Sequence, residues 1–264
     1  MTPDPETVTG QICAGLDVGS RTIKLVTMDT GVKDSCTVET GVNPLRRCQE
    51  LLSGKKYTRL VVTGYGRHLV APVLLGEVVS EIKAFATGAR YLFPLCHTVI
   101  DIGGQDCKVI RLGEKGAVQK FEMNDRCAAG TGKFLEVMAR TLEVDLSEIG
   151  DLALSASKTV QINSLCTVFA ESEVVSLIAK GEGPSAIALA LHEAIATRVT
   201  TMVKRVGLKA QTVFAGGAAL NQCLVKLLAQ KLDTELTVPA EPRIVGALGA
   251  ALLAKGEGPG VGEG

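Results

Sequence analysis

Two stretches of this chain are built on one template, and that duplication constrains the fold more than any other feature. Leu16-Asp17-Val18-Gly19-Ser20 is followed by Lys24-Leu25-Val26, and Ile100-Asp101-Ile102-Gly103-Gly104 is followed by Lys108-Val109-Ile110. Asp, Gly and Lys recur with the same internal spacing, displaced by 84 positions. Each copy reads as a strand, a tight glycine turn and a return strand, with Asp at the strand end. Two such hairpins facing each other would set two groups of backbone N–H around one anion. Asp17 and Asp101 would then hold a cation, directly or through water. The bland alternative is two unrelated hairpins with Asp in turn positions. A lone D-x-G carries no signal; a spaced duplicate does.

Strand and helix patterns alternate along the chain, which favours α/β layers. The first hairpin spans Gly15 to Asp29 and the second Thr98 to Leu112. Leu60 to Thr63 is a short buried strand ending at Gly64-Tyr65-Gly66. Helical spacing is read over Val78 to Ala89, Phe134 to Leu142, Phe169 to Ala179 and Ala186 to Val206. Val213-Phe214-Ala215 is a strand running into Gly216-Gly217 and a helix from about Leu220; glycines there let a flat ring system approach the backbone, though plain strand–helix packing gives the same pattern. Pro242 stands where a helix start favours it, opening a last helix to Ala254.

Hydrophobic residues make up 46% of the 264 and charged residues 21%, enough to bury a real core. Aromatics are 3%, with no Trp, so that core is built from Ala, Val, Leu and Ile. Lys plus Arg balances Asp plus Glu at 28 each, which argues against a nucleic-acid or anionic-membrane surface. The opening residues lack an apolar signal-peptide region, and the longest apolar run, Ile244 to Ala254, is too short to span a bilayer. These features predict a cytoplasmic protein, in which the eight cysteines stay reduced. No CxxC pair occurs, so a zinc ribbon and a thioredoxin-type motif are excluded.

The two hairpins and the Gly216-Gly217 segment together resemble the acetate-kinase, sugar-kinase, Hsp70 and actin superfamily, whose motifs run phosphate 1, phosphate 2, adenosine in this order. The resemblance becomes closer at Asn124-Asp125-Arg126-Cys127-Ala128-Ala129-Gly130-Thr131-Gly132-Lys133-Phe134-Leu135 and at Cys166-Thr167-Val168-Phe169-Ala170-Glu171-Ser172-Glu173-Val174-Val175-Ser176. Both are similar to the ATP-dependent activators of 2-hydroxyacyl-CoA dehydratases, a family that includes the ATPase subunits of benzoyl-CoA reductase. Thr63-Gly64-Tyr65-Gly66-Arg67 and Ile244-Val245-Gly246-Ala247-Leu248-Gly249-Ala250-Ala251 fit it as well.

The resemblance implies an α/β chain of two related actin/Hsp70-like (ribonuclease H-like) domains with a nucleotide cleft between them. Residues 1–96 would form the first, behind a mobile tail at 1–10; residues 97–241 would form the second, with the cluster cysteines and adenosine motif. Residues 242–264 would add a helix packed back on the first, then a mobile tail. ATP or ADP would bind with Mg²⁺. Gly19, Ser20, Gly103 and Gly104 would contact the phosphates, with Lys24 a further phosphate ligand or an outward strand Lys. Asp17 and Asp101 would position Mg²⁺ or its waters, Gln105 would orient the attacking water, and Gly216, Gly217 and Ala218 would border the adenosine.

The resemblance also implies one 4Fe–4S cluster shared by a homodimer, or by a heterodimer with a paralogous chain, with Cys127 and Cys166 supplied by each chain. A cubane takes four Cys ligands, and two-fold symmetry completes a half-site of two. Both cysteines precede helices, whose N-terminal N–H groups stabilise an anionic cluster. The six other cysteines read as core or semi-exposed thiols. The implied activity is ATP hydrolysis coupled to low-potential electron delivery in an anaerobic setting. A ferredoxin or flavodoxin would be the donor; an acyl-CoA dehydratase or aryl-CoA reductase component would be the acceptor. Rival readings are a reductase of another iron–sulfur protein, a small-molecule kinase of the same fold, and an actin-like assembly protein. Gly130-Thr131-Gly132-Lys133 fails as a Walker A loop, because Cys127 and Phe134 stand where Gly and Ser/Thr are needed. Glu171 and Glu173 read as solvated helix charges, or as groups that help transmit nucleotide state.

Overall fold

A computed structural model describes residues 11–163 and 166–258. The chain forms two compact units: one runs up to Tyr91 and takes back the segment from Ile244, the other is Leu92–Arg243. The tail expected at 1–10 lies outside the described residues, as does the part beyond 258 of the tail expected at 255–264.

In the first unit, β1 (Cys13–Val18) and β2 (Thr22–Met28) form the first hairpin, and β3 (Val32–Glu39) adds to its outer edge. α1 (Pro44–Leu52) starts with Pro at its first position, behind Asn43, whose side chain accepts from the Arg46 N–H. β4 (Arg59–Thr63) lies parallel to β1. α2 (Arg67–Leu74), β5 (Glu77–Val78) and α3 (Glu81–Leu92) follow. The sheet order is β3-β2-β1-β4-β5. The chain's last helix returns to this sheet, packing Ala247, Leu248, Ala251 and Leu252 with Val26 and Met28.

In the second unit, β6 (Thr98–Ile102) and β7 (Cys107–Leu112) form the second hairpin, with β8 (Val118–Asn124) outside. Four helices follow: α4 (Gly132–Thr141), α5 (Ile149–Leu154), α6 (Thr167–Ala179) and α7 (Pro184–Val206). β9 (Thr212–Ala215) pairs parallel to β6 and leads through a 3₁₀ turn, Gly217–Leu220, into α8 (Gln222–Leu232) and β10 (Leu236–Thr237). The order, β10-β9-β6-β7-β8, repeats that of the first sheet. α7 is the one described helix long and apolar enough to cross a membrane, and it is mostly buried within the core. The last helix is α9 (Val245–Lys255).

Three expectations need correction. The helix expected from Val78 starts at Glu81, because Val78 pairs with Val62 in the sheet and Ser80 meets the first helical N–H groups at Lys83 and Ala84. Pro242 opens a 3₁₀ turn, Pro242–Ile244, and regular α-helix begins only at Val245. The helix expected from Leu220 begins at Gln222, capped by the Asn221 side chain.

Candidate functional site

The sequence echo is a structural echo down to its hydrogen bonds. Asp17 faces Lys24 across β1–β2, and Asp101 faces Lys108 across β6–β7. Side chains directly opposite one another share a face of the sheet, so each lysine reaches its aspartate: Lys24 Nζ lies 3.2 Å from Asp17 Oδ2, and Lys108 Nζ 3.0 Å from Asp101 Oδ2. Each turn closes the same way, the Gly19 N–H donating to the Thr22 carbonyl and the Gly103 N–H to the Asp106 carbonyl.

The echo extends to the neighbouring parallel strands. Thr63 pairs with Asp17, and Ala215 with Asp101. The next residue in each case is a glycine with positive φ, Gly64 at +90° and Gly216 at +85°. A Cβ on Gly64 would lie 2.5 Å from Asp17 Oδ1, and one on Gly216 would collide with Asp101 Oδ1. The glycines thus let the neighbouring chain close over each carboxylate in a backbone conformation that L side chains avoid.

One of the differences between the copies bears on the lysine. Thr22 in the first corresponds to Asp106 in the second, and Lys108 also pairs with the Asp106 carboxylate. Lys108 is fully buried between two carboxylates, whereas the Lys24 side chain keeps 15% exposure and one carboxylate partner. Sequence reading missed Asp106, because the template matches Asp, Gly and Lys and passes over the positions between them.

The remaining candidates fall on this frame. Gly19, Ser20, Gly103 and Gly104 are half-buried turn residues, and Gln105 is exposed at the tip of the second turn. Ala218 is buried, while Gly217 is exposed with open space where a side chain would stand. Asn221, at the end of that segment, caps α8 and is held by the buried His192, whose Nε2 lies 2.9 Å from the amide nitrogen.

The cysteines divide by exposure. Cys127 and Cys166 are exposed, Cys36 is half-buried, and the other five are buried. Burial pushes the Cys48 thiol up to about 12 and Cys223 up to about 11, and pushes Cys107 up as well. Cys166 is the N-cap residue of α6. Cys127 lies in the turn after β8, where the Asn124 side chain donates to the carbonyls of Cys127 and Ala129. Glu173 reaches back from α6 to accept from the backbone and side-chain nitrogens of Asn163. Glu171 meets Thr141 of α4 at 3.5 Å. Asn124 and Glu173 are thus structural anchors of the two thiol segments, a role that spacing alone does not reveal. The N–H groups of Gly132 and Lys133, which a phosphate would take in a Walker A loop, donate instead to the carbonyls of Gly103 and Gly104.

Two α/β units with like sheet order, each carrying an Asp at the end of its central strand and a glycine turn, have the fold of the actin-, Hsp70- and sugar-kinase-like class, shared with a ROK family glucokinase from Streptomyces griseus at a TM-score of 0.59 and 12% identity. Within it, the chain belongs to the BadF/BadG/BcrA/BcrD ATPase family, which it matches over residues 14–254. The activator of 2-hydroxyisocaproyl-CoA dehydratase from Clostridium difficile, solved with bound ADPNP, superposes with a TM-score of 0.87 at 40% identity, over 94% of this chain and 95% of that one. The activator of lactoyl-CoA dehydratase from Anaerotignum propionicum is 43% identical over 91% of this chain and 96% of its own length. A component of benzoyl-CoA reductase from Thauera aromatica is 30% identical over 91% of this chain and 92% of its own length.

Proposed function

We propose that this ATPase is an activator that delivers low-potential electrons to an acyl-CoA-processing enzyme, with a 2-hydroxyacyl-CoA dehydratase favoured over an aryl-CoA reductase. The carrying observation is that the two exposed thiols among the described residues, Cys127 and Cys166, each lie at the approach to a helix. The greater identity to dehydratase activators than to the benzoyl-CoA reductase component sets the order of the two acceptors.

The donor set fits half of a 4Fe–4S site: two accessible thiols, each fixed by a polar anchor on its own segment. A second chain completes the four ligands. Val168 and Phe169, next to Cys166, are 67% and 66% exposed, which supports a second copy of the chain as cover for this end of α6. When bound, the cluster supplies one-electron chemistry; an external ferredoxin- or flavodoxin-type donor supplies the electron.

On the nucleotide side, Ser20 and Gly104 offer backbone N–H groups to phosphate oxygens, from turns that the Gly19 and Gly103 N–H groups hold closed. Asp17 and Asp101 each have Oδ2 engaged by lysine, so they meet Mg²⁺ through its waters. Lys24, the more accessible lysine, is the phosphate ligand of the pair. Gln105, exposed at the turn tip, orients the attacking water, and Gly216 to Ala218 border the adenosine. Hydrolysis here rests on positioning and electrostatics, with no covalent nucleophile.

Anaerobic purification tests the reading. The protein should be brown, with about four irons per two chains, and should hydrolyse ATP. Cys166→Ala should lose the iron and the reduction of the acceptor while keeping nucleotide binding. A colourless, iron-free but folded ATPase would overturn the redox assignment.

A further inference from the structure

The two thiol segments are anchored in different ways. The Cys166 segment is held from its own helix, by Glu173 on Asn163. The Cys127 segment runs through Thr131 into α4, whose first two N–H groups are spent on the glycine turn: Gly132 N–H on the Gly103 carbonyl at 2.9 Å and Lys133 N–H on the Gly104 carbonyl at 2.7 Å. These donors have no partner inside their own helix, so the turn serves as the cap of α4.

A trans peptide is planar, with its C=O and N–H pointing in opposite directions, and no described residue has a cis bond. The Gly103 carbonyl is therefore rigidly coupled to the Gly104 N–H, and the Gly104 carbonyl to the Gln105 N–H. The peptide unit that holds the Gly132 N–H on one side presents on the other the Gly104 N–H that the proposed function gives to phosphate, and the next unit presents the Gln105 N–H beside it. A rotation that improves one set of hydrogen bonds turns the other away. Gly132 keeps the seat tight: a Cβ there would lie 3.1 Å from the Gly103 oxygen. At its other end α4 meets α6 through the Thr141–Glu171 contact, nine residues and about 13 Å along the axis from Gly132, so the Cys127 end is the one next to the glycine turn.

We propose that the Gly103-Gly104 turn and the first turn of α4 form the link through which the nucleotide's phosphates act on Cys127, while the Cys166 segment stays fixed. This rests on the nucleotide role proposed above for the Gly104 N–H. It also requires the phosphate state to favour one peptide orientation over the other, as any ligand-driven shift does.

Hydrogen exchange on the full chain, purified anaerobically, compares Mg-ADP with Mg and a non-hydrolysable ATP analogue. Peptides covering 103–106 report nucleotide contact. Peptides covering 125–134 should differ several-fold in exchange between the two nucleotides, with no comparable change in peptides carrying Cys166. Gly132→Ala, which pushes α4 off its seat, should at least halve that difference while nucleotide affinity changes less than about threefold. A difference confined to the Cys166 peptides, or one undiminished in Gly132→Ala, overturns the link. Absence of any protection at 103–106 overturns the nucleotide role itself, and the link with it.

Discussion

Lys108 stands directly across the β6–β7 ladder from Asp101, Nζ 3.0 Å from Oδ2, with both side chains 2% exposed. A buried ion pair adds little net stability when made but costs heavily when half of it is removed. Lys108→Met would leave the carboxylates of Asp101 and Asp106 without their cation. The expected loss is about 3–5 kcal/mol, read by urea unfolding, with partial recovery on adding Asp101→Asn. Lys24→Met, at a more exposed lysine with one carboxylate, should lose about 1–2 kcal/mol. Equal losses at the two lysines would mean that the copies have not diverged.

The glycines over the two carboxylates give a second expectation. Gly64→Ala and Gly216→Ala each place a Cβ on an Asp carboxylate at positive φ. The backbone term alone costs about 1–2 kcal/mol, and the collision adds to it. Each variant should also weaken nucleotide binding, measured by calorimetry, because the displaced Asp no longer meets its lysine. Gly31→Ala, where a Cβ meets nothing within 4 Å, is the control and should be nearly silent.

Thiol chemistry separates the cysteines. In iron-free native protein, Cys127 and Cys166 should be alkylated fast and Cys36 slowly. The five buried thiols should react only on unfolding. Moving from about pH 7 to about pH 9 should not recruit Cys48 or Cys223, which burial holds at about 12 and about 11. Peptide mapping of the label checks this. Fast labelling of Cys48 in the folded state would contradict its burial.

What the sequence carried was whatever local pattern carries. The hairpins at Asp17 and Asp101 were legible because a buried strand ending in Asp-x-Gly has few alternatives, and because the pattern occurs twice. Cys127 and Cys166 stood apart from the other cysteines through the motifs around them, and they are the exposed ones among the described residues. β3 and β8 were not, since outer strands such as Val118-Gln119-Lys120-Phe121-Glu122 are half solvated and owe their pairing to the neighbouring strand. The Asp17–Lys24 and Asp101–Lys108 pairs depend on register, which the spacing of seven residues permits but does not dictate. The anchors Asn124, Glu173 and Gly132 act through backbone groups that no residue pattern records.

The buried His192 makes stability depend on pH. Its Nδ1 donates to the Ala188 carbonyl at 2.7 Å, which leaves Nε2 to accept from the Asn221 amide. Burial lowers its pKa from the ordinary 6.5, so the folded chain keeps the ring neutral while the unfolded chain takes up a proton as the pH falls. The unfolded state then binds more protons, and stability drops with acidification. The His192 contribution should be flat above about pH 6.5 and fall below it by at most about 1.4 kcal/mol per pH unit. His192→Gln, which cannot take up the proton, should start less stable and lose less between about pH 7.5 and about pH 5.5. Urea unfolding of both proteins at the two pH values cancels the carboxylates they share. A gap between them that stays constant with pH would remove His192 as the source.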